Sequence, residues 1–183
     1  MPIVRRFAET TPVIAPDVFL AENASVIGDV VIGPGSSIWY GTVVRGDVMP
    51  IRIGRATSIQ DNSVIHVDSG GWGTTVGDGV TVGHRVVLHG CTIGNGALIG
   101  IGATVMNGAE VGEGALIGAG SLVTEGMKIP GGMLALGTPC RVKRPLTDEE
   151  KAHLRESAAH YVELAQDHAA EEAAAGAPRR ADR

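Results

Sequence analysis

Aromatic side chains are scarce in this chain. Phe, Tyr and Trp make up 3% of its 183 residues, although 44% are hydrophobic. An ordinary globular core draws much of its volume from aromatic rings, so this core is expected to be built from Val, Ile, Leu and Ala. Only two cysteines are present, Cys91 and Cys140. Two are too few for a disulfide framework, which makes a reducing compartment the expectation. No basic stripe runs through the sequence and the net charge is −5, which argues against a nucleic-acid partner. The segment MPIVRRFAETTP has no apolar signal core, and no apolar run approaches the length of a membrane span. The expectation is a cytoplasmic protein with no membrane association.

Glycine, with 27 residues, is abundant, and it falls into a period. Aliphatic residues recur at Val26, Ile32, Ile38 and Val44, then at Ile53, Ile59 and Ile65, then at Val76, Val82 and Leu88. The last run is Ile93, Ile99, Val105, Val111, Ile117, Val123 and Ile129. Nearly every step is six residues, and Gly often follows the aliphatic residue. Two positions before most of these aliphatics stands a small residue, such as Ser36, Thr57, Cys91, Ala97 or Ala103. Residues two apart in a strand share a face. Each unit therefore reads as a short strand with one large and one small inward side chain and a Gly-rich corner. Three such strands close a triangular coil of roughly 18 residues, and stacked coils bury one continuous core. A β-sandwich would instead show alternation within longer strands, repeating every 8–12 residues or so.

The fold expected is all-β: a parallel β-helix of hexapeptide repeats over residues 1–145, a C-terminal α-helix over 146–175 packed alongside, and a flexible tail over 176–183. Thr147 and Glu150 fit a capping box. Leu154, Ala158, Tyr161 and Leu164 are spaced to share the helix face that packs on the coils. His153, His160 and His168 read as helix-surface residues.

Three further histidines, His66, His84 and His89, lie in the repeats. His84 follows His66 by 18 residues, one coil by simple count, but the count misleads. Ile65 and Val76 are eleven apart where six is expected, so five residues are inserted within DSGGWGTT. With that correction His66, after Ile65, and His89, after Leu88, occupy one column on adjacent coils, about 4.8 Å apart. His84 sits at a corner on a different edge, so a neighbouring copy in a homotrimer is expected to supply it. Three imidazoles with a position left for water suit a catalytic zinc, and Fe2+ or Co2+ suits the same donors. Arg45 shares the column of His66 and His89, Asp61 shares that of His84, and Asp47 lies in the turn after Arg45. Gln60 is expected to point outward beside Asp61, where its amide would contact a metal-bound water. No organic cofactor site is expected.

The segments VVRGDV, IGRATSIQDNSVIHVD and VGHRVVLHGCTIG resemble the γ-class carbonic anhydrase family, over about residues 10–145 and on into HYVELA. The resemblance implies a left-handed β-helix and a homotrimer. His66, His84 and His89 would bind the metal between subunits, with Arg45, Asp47 and Asp61 as interface residues. It implies Gln60 at the metal-bound water and Tyr161 near the pocket. It also implies reversible hydration of CO2 to bicarbonate by a metal-bound hydroxide. The archaeal prototype of the family carries an acidic loop; here Val48 follows Asp47, and the loop after His66 offers only Asp68. Without an efficient proton shuttle, proton export would limit turnover. Three alternatives stay open: thioester or ester hydrolysis at the same metal, CoA-dependent acyl transfer, and a non-catalytic accessory trimer.

Overall fold

The computed structural model describes residues 1–176; the tail expected over 176–183 falls, past Gly176, outside the described residues. Residues 3–145 form a parallel β-solenoid of about seven turns. Each regular coil presents three short strands, one per face. The first face stacks Val64–His66, Val87–His89, Thr104–Val105 and Leu122–Val123. The second stacks Thr74–Val76, Thr92–Ile93, Glu110–Val111 and Lys128–Ile129. The third runs from Phe19–Leu20 through Ser58–Ile59 and Thr81–Val82 to Met133–Leu136, and Arg141–Pro145 closes it with an antiparallel pairing. Near the N-terminus the corner between the first two faces is drawn out, so Ser25–Ile32 and Val43–Ile53 each span both faces as one long strand.

The six-residue aliphatic column is the core. Ile32, Ile38, Ile59, Ile65, Leu88, Ile99 and Ile117 are all essentially inaccessible to solvent, each worth about 1.5–3 kcal/mol of transfer free energy. The small column beside it is inward as well, and its hydroxyls are satisfied by carbonyls of the next coil. Ser36 Oγ donates to the Gly54 carbonyl at 2.7 Å, Thr42 Oγ1 to Gln60 O at 2.8 Å, and Thr57 Oγ1 to Gly77 O at 2.7 Å. Buried polar groups are tolerated on these terms. Corners stack so closely that a Cβ on Gly33 would lie 2.8 Å from the Gly54 carbonyl.

The C-terminal helix α1 spans Asp148–Gly176 and packs on the third face. Its capping box is formed: the Thr147 amide donates to Glu150 Oε2 at 2.8 Å, and the Glu150 amide to Thr147 Oγ1 at 3.2 Å. Outward residues beneath it are small (Ser37, Ser58, Thr81) and buried, which lets the helix approach. Leu154 is buried, and Tyr161 and Leu164 pack against the core as expected. His168 departs from the surface role read for it. It is half-buried, its ring 5.0 Å from Trp39 and 5.7 Å from Phe19, and its Nδ1 is 3.2 Å from the Tyr40 hydroxyl. The apolar spacing used to find the helix face ignores amphipathic rings, so it passed over His168.

Candidate metal centre

Two insertions break the period, and both fall at the corner between the first and second faces. Val44 to Ile53 is three residues longer than a regular step, and the pairing jumps there from Gly28↔Gly46 to Val30↔Ile51. Ile65 to Val76 is longer by five. The extra chain carries Asp47 in the first case and lies beside Asp68 in the second, against the column that holds Arg45 and the histidines.

The corrected count places His66 and His89 as cross-coil partners, and the register pairs them directly. Their rings are 5.1 Å apart, with His66 Nδ1 3.2 Å from His89 Nε2. Each ring's remote nitrogen has an oxygen partner. His66 Nε2 lies 3.0 Å from Asp47 Oδ1, and His89 Nδ1 lies 2.6 Å from Asn107 Oδ1. Asp47 also accepts from Arg45. Burial pushes the Asp47 carboxyl up, but the hydrogen bonds from His66 and Arg45 outweigh it and leave its pKa below the ordinary carboxylate value. Arg45, Asp47, His66, Asp68 and His89 together line a cleft of ≈ 300 Å³.

His84 lies at the other edge of the first face, after Thr81–Val82, and is not gathered with His66 and His89. Its Nδ1 is 2.8 Å from Asp61 Oδ2, the pairing the column count predicts. This edge has its own cavity of ≈ 640 Å³ between the coils and α1, lined among others by Gln60, His84, Ile99, His160 and Tyr161. Gln60 is 3% exposed: it leaves the coil outward as expected but is covered. Tyr161 packs edge-on against Trp39 at 5.9 Å. Burial, with the Asp61 charge, raises its phenol pKa above 10, so the hydroxyl is neutral and able to donate.

One chain therefore holds two half-sites at opposite edges of one face. Among the described residues no cluster of three His, Cys, Asp or Glu side chains is placed to hold a metal ion within a single chain. The His66–His89 pair still fits a cation. A neutral imidazole that donates through one nitrogen presents a bare lone pair at the other, and two bare nitrogens 3.2 Å apart repel unless a cation joins them. Asn107 was not singled out from the sequence, because Asn107-Gly108 looks like any Asn-Gly corner; its spacing of 18 from His89 was the available signal. Cys91 is buried in the small column, its thiol pushed up to about 12 by burial, which suits a core residue. Cys140 is also buried.

Residues 11–46 and 90–125 match the bacterial transferase hexapeptide family (six repeats). A probable carbonic anhydrase of Methanocaldococcus jannaschii is 47% identical over 153 residues, covering 84% of this chain and 96% of the relative. The chain belongs to the γ-class carbonic anhydrase-like family. Mitochondrial γ-carbonic anhydrase 1 of Arabidopsis thaliana is 48% identical over 170 residues, 90% of this chain; the match spans 62% of that relative's length. Among solved structures, a hexapeptide transferase family protein from Anaplasma phagocytophilum superposes with a TM-score of 0.87 at 43% identity, covering 90% of this chain and 97% of that one. No helix among the described residues is long and apolar enough to cross a membrane.

Proposed function

We propose that this family member is a cytoplasmic homotrimer that hydrates CO2 reversibly to bicarbonate at a zinc held by His66 and His89 of one subunit and the counterpart of His84 in the next. The observation that carries the reading is the converging pair, His66 Nδ1 and His89 Nε2 at 3.2 Å. The face between the half-sites supports the trimer. Its outward column is mostly apolar, Val43, Val64, Val87 and Leu122 with Thr104 among them and Val64 39% exposed, whereas past Val31 the second face presents Arg52, Thr75, Thr92, Glu110 and Lys128. An apolar stripe flanked by two incomplete sites suits a second copy, and three-fold closure gives three equal sites.

Zinc bound there would supply a Lewis acid that makes water nucleophilic near neutral pH; Fe2+ or Co2+ suits the same donors. Gln60, covered and neutral beside His84, would orient the water through its amide. Tyr161 lines the helix side of the cavity, and Asp61 fixes the His84 ring through Nδ1. Arg45 and Asp47 fix the His66 ring. Stopped-flow CO2 hydration by anaerobically purified protein, with metal assayed on the same sample, tests this. Activity that follows metal content and disappears in His89→Ala is expected; hydration retained by metal-free His89→Ala protein contradicts it.

A second reading is group transfer, which the 43% identical hexapeptide transferase family structure favours; thioester hydrolysis at the same metal is a third. Group transfer leaves the His66–His89 convergence without a purpose. Tight CoA binding to the metal-free protein would favour transfer, and acyl-CoA turnover without CO2 hydration would favour hydrolysis.

A further inference from the structure

The five-residue insertion after His66 does more than interrupt the period. Asp68 stands just before it and forms an antiparallel bridge with Trp72. Asp68 Oδ1 accepts from the Gly70 amide at 3.2 Å, and Oδ2 accepts from Asn107 Nδ2 at 2.6 Å. Trp72 covers the next two corners: a Cβ on Gly108 would be 3.1 Å from the indole, and one on Gly90 would be 2.8 Å from both Trp72 Cβ and Asn107 Oδ1. Gly90, at φ +58°, thus leaves the gap through which Asn107 reaches the histidine.

These contacts fix how the Asn107 amide is turned and which proton His89 directs toward it. A carboxylate can only accept, so the amide nitrogen of Asn107 must face Asp68 and its oxygen must face His89. That oxygen can only accept, so His89 carries a proton on Nδ1, and in the neutral ring Nε2 is left bare, toward His66. We infer that Asp68 and Asn107 are positioning residues that lock His89 in the Nδ1–H tautomer, and that the off-period loop exists to deliver the carboxylate that orients Asn107. Asp47, delivered by the other insertion, does the same for His66 directly through Nε2. Each insertion at this edge therefore presets one imidazole to offer a lone pair to a metal, the arrangement by which outer partners raise ligand basicity. The inference rests on the metal reading of the His66–His89 pair.

The test measures zinc affinity of the intact trimer by chelator competition, together with the His89 tautomer in metal-free protein by 15N NMR. Asn107→Leu cannot accept from His89, and zinc affinity is expected to fall about 10–100-fold, with loss of the Nδ1–H signature. Asn107→Asp sets two carboxylates face to face and should weaken zinc to a similar degree. The double variant D68N/N107D restores one acceptor at His89 and one donor behind it, and is expected to recover affinity to within a few-fold of the parent. A merely structural role would not be rescued by that exchange. Parent-like zinc affinity in Asn107→Leu, or a double variant no better than its singles, would overturn the inference. If the parent bound no zinc, the metal reading itself would fail. The NMR arm still decides the positioning role: an Nδ1–H His89 that persists in Asn107→Leu overturns it, and one lost there sustains it.

Discussion

His66 and His89 are 23 residues apart, yet their facing nitrogens are 3.2 Å from each other in a solenoid whose regular coil is 18 residues. The excess is the insertion at residues 69–73, which leaves the coil at a corner and returns without disturbing the stack. Deleting those five residues restores the regular step, so the protein should still fold, with its thermal midpoint within a few degrees of the parent. Its zinc affinity should fall at least as far as in Asn107→Leu, because Asp68 loses the loop that aims it. Unfolding of the deletion variant would show that the loop is part of the core.

Gln60 is covered and lies with His84 rather than with the His66–His89 pair. Replacing it with Ala should leave metal content unchanged and lower kcat about 10–100-fold, the usual cost of losing an outer partner at a metal site. Equal losses of kcat and metal would instead give Gln60 a structural role.

Arg85 follows His84 at φ +56°, in a corner column where Gly41, Gly102 and Gly120 take the same left-handed conformation. A non-glycine residue pays about 1–2 kcal/mol there, partly offset by the roughly 0.5–1 kcal/mol that glycine loses in chain entropy. Arg85→Gly should therefore stabilise the fold by about 0.5–1 kcal/mol, measured by denaturant unfolding. A destabilised variant would show that the Arg85 side chain makes a contact in the assembled protein that outweighs the strain.

The start of α1 should respond to acid. Hydrogen bonds from Arg144, then from the Thr147 amide, lower the Glu150 pKa from 4.5 to about 2. A depressed carboxyl stabilises fully above its unfolded value and loses that contribution as pH falls. The difference in thermal midpoint between parent and Glu150→Gln should be constant above about pH 5, shrink from pH 4.5 downward, and vanish near pH 2. A difference that does not change with pH would mean the cap acts without the charge.

Much of this arrangement was legible in the sequence because a solenoid converts position along the chain directly into position in space. The Val/Ile/Leu column gave the core. The eleven-residue step from Ile65 to Val76 gave the His66–His89 stack, and the Asp61–His84 pairing came from the same register. Less legible were contacts made by chain outside the period. Asp47 and Asn107 reach the histidines, and Asp68 reaches Asn107, from corners and insertions, where the six-residue rule says nothing about direction. His168 was missed for a related reason: its partners Phe19, Trp39 and Tyr40 lie on the first coils, more than a hundred residues earlier.

In the proposed trimer a working site takes His66 and His89 from one copy and His84 from another. Chains carrying His84→Ala and chains carrying His89→Ala, differently tagged and co-expressed, give mixed trimers that tandem purification isolates. Each parent variant alone should hold no zinc and hydrate no CO2. In a ring of three, every mixed trimer has a single interface where intact His66 and His89 meet an intact His84, so the account predicts about one zinc per mixed trimer and about one third of the activity. Mixed trimers without zinc or activity would contradict it.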